Sequence, residues 1–98
     1  MASLYEIITI IHPSESDDGV EAIIGGLRQQ LDASGAEVLH VDKWGRRKLA
    51  YPIAKNDEGF YVLIHAEGGP NIPGEFRAHT KIRESIIREM VIKLEDAQ

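Results

Sequence analysis

The chain has 98 residues, 43% of them hydrophobic, and a formal net charge of -5 at pH 7. This length suits a single domain spanning residues 1–98 and leaves no room for a second hydrophobic core. The absence of cysteine excludes a disulfide framework and thiolate metal sites, and no apolar stretch is long enough for a signal core or a membrane span. We therefore expect a soluble, intracellular protein.

The first half of the chain predicts a strand followed by an amphipathic helix. Residues 4–11 are rich in β-branched side chains, and their near-continuous apolarity favours a central strand. Ser14 and Asp17 resemble a capping box, and Gly35 predicts the end of the helix. Its apolar stripe consists of Val20, Ile23, Ile24, Leu27 and Leu31. Gly25 and Gly26 each cost about 1 kcal/mol relative to alanine, and the sequence does not explain them.

The middle of the chain predicts a β-hairpin. Residues 37–51 are interpreted as a strand with a bulge near Gly45 rather than as a helix, because Gly45 and Pro52 would interrupt a helix. Residues 56–59, Asn-Asp-Glu-Gly, predict the turn. The second strand then covers residues 60–67, where the side chains alternate between the two faces.

The last third of the chain predicts a short helix and a final strand. After a Gly-Gly-Pro loop, Asn71 is a suitable N-cap for a helix that buries Ile72 and Phe76 and ends near Lys81. Residues 86–94 predict a strand, and a helix continuing to Met90 is the alternative.

The resulting order, βαββαβ, predicts a ferredoxin-like α+β fold. In this arrangement a four-stranded antiparallel sheet carries both helices on one face and leaves the other face open. Open sheet faces of this kind commonly contact RNA or protein, but many unrelated functions use the fold. The function must therefore be argued from particular residues.

Residues 43–55, which we call the basic strip, concentrate positive charge in an acidic chain. They contain no carboxylate, whereas the rest of the chain holds sixteen acidic and six basic side chains. Its cations are Lys43, Arg46, Arg47, Lys48 and Lys55. With Trp44 and Tyr51 they predict phosphate contacts and base stacking. The alternative is a solvated edge strand whose charges prevent aggregation, and for Tyr51 we expect packing at the core edge.

A second basic group follows in the last helix and strand. Its members are Arg77, Lys81, Arg83, Arg88 and Lys93. Arg83 and Arg88 could lie side by side where the last strand begins. For Lys81 and Arg83 the alternative is compensation of the helix dipole at the helix C-terminus.

The sequence argues against catalysis. The four histidines lie on separate predicted elements, without metal-ligand spacing. An acylphosphatase-like enzyme needs a basic loop after the first strand, but this loop carries Glu15, Asp17 and Asp18. There is no P-loop and no nucleophile elbow. We expect no enzymatic activity, no metal, no cofactor and no small-molecule substrate.

Three segments together resemble the bacterial small-subunit ribosomal protein six family. They are Tyr-Glu-Ile-Ile at 5–8 with His-Pro at 12–13, Trp-Gly-Arg-Arg-Lys-Leu-Ala-Tyr-Pro-Ile-Ala-Lys at 44–55, and residues 86–93. The resemblance implies a constituent of the small ribosomal subunit in the cytoplasm. It also implies binding to the central domain of small-subunit rRNA as a heterodimer with ribosomal protein eighteen. The expected RNA or partner contacts are Lys43, Trp44, Arg46, Arg47, Lys48, Tyr51, Lys55, Arg83, Arg88 and Lys93.

Two other functions remain open from the sequence. Residues 59–62, Gly-Phe-Tyr-Val, resemble part of the third-strand motif of RRM domains, although Glu58 replaces its first basic residue. A module that binds only protein is the third hypothesis. Residues 1–42 hold eight carboxylates against Arg28 alone, so we expect weak RNA binding without a cationic partner.

Overall fold

The computed structural model describes residues 2–53 and 55–96, except for the side chains of residues 50, 95 and 96. The elements are β1 (Ser3–Ile11), α1 (Asp17–Ala33), β2 (Glu37–Ile53), β3 (Asn56–Gly68), α2 (Ile72–Lys81) and β4 (Ile86–Asp96). The strands form one antiparallel sheet in the order β2-β3-β1-β4. This arrangement confirms the predicted ferredoxin-like fold, including the central position of β1.

The core lies between the two helices and one face of the sheet. Alternate residues of β1 and β3, among them Ile7 and Ile64, are fully buried there. The predicted stripe of α1 is buried along its whole length, and Ile72 and Phe76 are buried on α2, as expected. At about 25 cal/mol per Å² of apolar surface, each such aliphatic side chain contributes about 1.5–3 kcal/mol.

Helix α1 begins later than the sequence suggested. Ser16 is the N-cap, and its Oγ accepts a hydrogen bond from the Gly19 amide at 3.1 Å. The predicted Ser14–Asp17 capping box is therefore wrong, because Ser14 instead hydrogen-bonds His12 Nδ1 at 2.8 Å through its hydroxyl. At the other end Gly35 adopts φ +86°, which confirms that it terminates the helix.

The β2–β3 hairpin contains the predicted bulge but turns at a different place. Gly45 adopts φ +83° where the register shifts, as a bulge requires. Ile53 pairs with Asn56, so residues 56–59 belong to β3 and the predicted turn there is wrong. Gly59 is small for a different reason: a Cβ at this position would collide with Ile10 Cγ2 of β1.

The remaining elements follow the sequence closely. Asn71 precedes α2 as predicted, but its side chain makes no cap hydrogen bond and instead donates to the Ser34 carbonyl at 3.0 Å. This bond connects the end of α1 with the start of α2. Residues 86–94 lie within β4, so the alternative of a helix continuing to Met90 is wrong.

Candidate nucleic-acid and protein interface

Strand β2 distributes the basic strip over both faces of the sheet. Lys43 pairs with the buried Val62, and directly paired residues of an antiparallel sheet share a face. Arg46 pairs with Phe60, which packs against the core, so Arg46 lies on the helix side as well. Arg47, one residue further along, belongs to the open face. The two arginines therefore lie on opposite faces, as neighbours on a regular strand do, and the bulge at Gly45 does not bring them together.

The helix-side cations are held by carboxylates from distant parts of the chain. Lys43 Nζ forms an ion pair with Glu21 of α1, and Arg46 Nη1 lies 3.5 Å from Glu58 Oε1 of β3. All four side chains are about half exposed. Exposed pairs of this kind contribute about 0–1 kcal/mol each, so a stronger anion can displace the carboxylates. The sequence did not predict the Lys43–Glu21 pair, because its partners meet only after the fold is formed.

On the open face, Trp44 is fixed by contacts within the chain. Its ring stacks on Tyr61 with a centroid distance of 6.2 Å and an interplanar angle of 12°. Its Nε1 donates a hydrogen bond to Asp42 at 3.0 Å. The guanidinium carbon of Arg47 lies 5.4 Å from the same ring, within cation–π range. Trp44 therefore positions Arg47 at the open face.

Tyr51 does not pack at the core edge, so that expectation was wrong. Its side chain is 58% exposed, and its hydroxyl accepts a hydrogen bond from Arg88 Nη1 at 2.9 Å. Tyr51 and Arg88 line a groove of about 190 Å³ on the open face. The other lining residues are Ile8, Ile10, Leu49, Ile53, Tyr61 and Met90.

Exposed apolar side chains continue from this groove along β4. Met90, Ile92 and Leu94 are 40%, 40% and 46% exposed. Met90 pairs with Ile8 and Ile92 with Glu6, which places this row on the face opposite the core. The sequence contained the signal, since residues 90, 92 and 94 are all apolar while Val91 between them packs against the core.

Arg83 is engaged within the fold. Its Nε donates a hydrogen bond to His79 Nε2 at 3.0 Å, and its guanidinium lies against α1 at Gly26. A Cβ on Gly26 would be 3.2 Å from Nη2, so the guanidinium would have to shift by a few tenths of an ångström to admit a larger residue. Gly25 has open space around it and nothing in the structure explains it. Burial and the neighbouring Arg83 charge together lower the pKa of His79.

The remaining candidate residues lie apart from this cluster. Lys48 pairs with Glu58 across the hairpin, and Lys55 occupies the turn with φ +67°. Lys93 lies exposed on β4, at the far end of the sheet from the hairpin turn. The structure thus brings Trp44, Arg47, Tyr51 and Arg88 to the open face and separates them from the helix-side cations.

Two further structural tests concern membranes and metals. Within residues 2–53 and 55–96, no helix is both long and apolar enough to span a bilayer. In the same part of the chain, no three His, Cys, Asp or Glu side chains converge as a metal site. His40 and His65 are neighbours on the open face, with ring centroids 6.0 Å apart.

The comparison with known proteins places these features in a family. The sequence model of the family described as Ribosomal protein S6 matches residues 4–93. The chain is 39% identical over 88 residues to small ribosomal subunit protein bS6 of Clostridioides difficile, covering 90% of this chain and 95% of that protein. It is 40% identical over 91 residues to the Clostridium perfringens protein of the same name, covering 93% and 96%.

A solved structure agrees in fold. The crystal structure of 30S ribosomal protein S6 from Thermotoga maritima superposes with a TM-score of 0.91 and covers 96% of this chain and 89% of that one. At 23% identity, this likeness shows the fold alone. The match of the family model across nearly the whole sequence shows more: the chain belongs to the ribosomal protein S6 family.

Proposed function

We propose that the chain binds the central domain of small-subunit rRNA cooperatively with small-subunit ribosomal protein eighteen. Membership of the ribosomal protein S6 family makes it a structural, non-enzymatic constituent of the small ribosomal subunit in the cytoplasm. The observation that carries the proposal is a division of one sheet face. On the open face, Arg47 lies at the β2 edge, and uncovered apolar side chains extend to the β4 edge.

The RNA contact is assigned to the open-face end of the basic strip. Arg47 has no carboxylate within ion-pair distance among the described residues, and Trp44 holds its guanidinium at the surface. A guanidinium can pair a phosphate through two parallel hydrogen bonds. Lys48 follows Arg47 on β2 but pairs with Glu58, so it lies on the helix side and adds a second cation beside Arg47 at the edge of the sheet. Phosphate contacts made by these two cations supply affinity that falls with salt.

The protein contact is assigned to the groove and the apolar row on β4. A row of three exposed large apolar side chains beside an apolar groove is typical of a surface that another protein covers. Arg88 at the groove rim can pair a carboxylate of the partner or remain bound to Tyr51. Tyr61 already stacks on Trp44, which disfavours the RRM-like hypothesis, in which an outward ring of residues 59–62 would stack on RNA bases. The same contact occupies Trp44, for which the basic strip predicted base stacking.

Cooperativity follows from the charge distribution. Eight carboxylates against one arginine in residues 1–42 repel RNA, and a cationic partner on the sheet reduces this repulsion. We expect ribosomal protein eighteen to tighten rRNA binding at least about tenfold, or about 1.4 kcal/mol of coupling. Thermodynamic linkage requires that rRNA strengthen the protein pair by the same factor.

A titration of a central-domain rRNA fragment, with and without ribosomal protein eighteen, tests the cooperativity. Superimposable titrations would contradict it.

The surfaces are tested separately with Arg47→Ser/Lys48→Ser, which should weaken RNA binding, and Met90→Ser, which should weaken the protein pair. Leu39→Ser is the matched control for Met90, because Leu39 is a 50% exposed apolar residue outside the groove. Equal effects of Met90→Ser and Leu39→Ser would contradict the assignment of the groove and the β4 row as the docking surface. Strong binding of short single-stranded RNA by the chain alone would instead support the RRM-like alternative.

A further inference from the structure

Two carboxylates occupy the positions where phosphates would meet the basic strip. Glu21 reaches from α1 to Lys43, and Glu58 reaches from β3 to Arg46. Their side chains are 56% and 49% exposed, so an incoming anion can reach both pairs. Arg47 and Lys48 have no such ion-pair partner within 4.0 Å among the described residues. The strip therefore contains both occupied and open cations.

We propose that Glu21 and Glu58 determine RNA specificity by competing with phosphates for Lys43 and Arg46. The inference rests on the proposed RNA-binding function and extends it to two residues outside the basic strip. In the free protein the carboxylates hold the two cations. In the complex, phosphates of the folded rRNA replace them.

The competition distinguishes between RNAs because breaking the two ion pairs costs free energy. Only an RNA whose phosphates reach both Lys43 and Arg46 gains enough new contacts to offset that cost. An exposed pair is weak, so phosphate can break it, but the released carboxylate remains nearby and repels the phosphate. An arbitrary RNA can contact Arg47 on the open face without disturbing either pair. An RNA whose backbone also follows the helix side of β2 presents phosphates to Lys43 and Arg46 together, and the additional charge-assisted contacts offset the loss.

The test compares two double variants with the same change in charge. Glu21→Gln/Glu58→Gln removes the competing carboxylates, and Asp32→Asn/Glu37→Gln removes two exposed carboxylates elsewhere. Asp32 lies eleven residues after Glu21 on α1, about 16 Å along the helix axis. That separation exceeds the Debye length of about 8 Å at physiological ionic strength. Each variant is titrated with the central-domain rRNA fragment in the presence of ribosomal protein eighteen, and with an unrelated RNA duplex of equal length.

We expect Glu21→Gln/Glu58→Gln to bind the unrelated duplex about tenfold more tightly, a change of about 1.4 kcal/mol. Its affinity for the rRNA fragment should rise less than about threefold, so the specificity ratio falls. On the duplex, the slope of log K against log salt should steepen by about one for each released cation. The control variant should stay within about twofold of the wild type on both RNAs, because its charges are screened.

Several results would overturn the inference. If the control variant also bound the unrelated duplex about tenfold more tightly, net charge alone would explain the effect. If Glu21→Gln/Glu58→Gln raised the affinity for both RNAs equally, the two carboxylates would not determine RNA specificity. Weaker binding by Glu21→Gln/Glu58→Gln would mean that the carboxylates position the cations for RNA. A large fall in the melting temperature of Glu21→Gln/Glu58→Gln would show that the two ion pairs serve mainly to stabilise the fold. Failure of the underlying function is recognised separately, because Arg47→Ser/Lys48→Ser would then leave RNA binding unchanged.

Discussion

The adjacent glycines in α1 provide a direct test of how Arg83 is used. Gly25→Ala should stabilise the protein by about 1 kcal/mol, because alanine is the better helix former and a Cβ there has no neighbour within 4 Å. For a domain of this size that free energy corresponds to a rise in melting temperature of about 4–8 °C. Gly26→Ala has the same intrinsic gain. Its Cβ, however, would be 3.2 Å from Arg83 Nη2, so the guanidinium must move and its 3.0 Å hydrogen bond to His79 is strained.

A double-mutant cycle separates the two contributions. In the wild-type background, Gly26→Ala should gain clearly less than Gly25→Ala. In an Arg83→Ala background the obstacle is absent, and both substitutions should gain about 1 kcal/mol. Thermal and urea unfolding measure all the variants. Equal gains at both glycines in the wild-type background would show that Arg83 is not held against α1. Arg83 would then be available for RNA, as the sequence suggested.

Three further predictions concern single residues. Thr9→Val should stabilise the protein by about 1 kcal/mol, because the fully buried Thr9 hydroxyl has no hydrogen-bond partner among the described residues. Urea unfolding measures the change, and a loss of stability would show that the hydroxyl does have a partner. Gly45→Ala should lower the free energy of unfolding by about 1–2 kcal/mol through the φ of +83° alone, since a Cβ there would have open space. Gly45→Asn should lower it less, because asparagine tolerates positive φ better than alanine, and equal losses for the two variants would refute a backbone origin. Because the pKa of His79 is lowered in the folded state, the unfolded chain binds more protons below pH 6.5, so stability should fall as the pH decreases from 6.5 towards the folded-state pKa. His79→Gln should remove that component of the pH dependence, and an unchanged profile would exclude His79 as its source.

The fold was predictable where one local pattern had one structural outcome. The stripe on α1 has helical spacing and can be buried only by packing against a sheet, and β1 is too apolar to lie at an edge. The capping residue was misplaced by two positions because Ser14 and Ser16 are both acceptable caps. Only the contact of Ser14 with His12 distinguishes them.

The candidate site was less predictable because its residues depend on partners far along the chain. Residues 56–59 have the composition of a turn, yet Gly59 is needed for the approach of Ile10 on a neighbouring strand. Likewise, Lys43 belongs to a cluster of cations in the sequence but meets Glu21 in the structure. Local composition identified the basic strip, whereas the division of its cations between two faces follows from the bulge and the sheet register.

The hairpin has a consequence for local stability. Lys48 pairs with Glu58 and Ile53 with Asn56, but between them, in the part of the chain that the structure describes, residues 49–52 have no paired residue on β3. Few ladder hydrogen bonds therefore hold residues 49–52 to the sheet. Such a segment opens with a lower free energy than the core, and its amide hydrogens exchange faster. Tyr51 lies in this segment, so a partner that binds there also orders it. Part of the binding energy is then used to order the hairpin, which links the lifetime of a complex to the local opening of two strands.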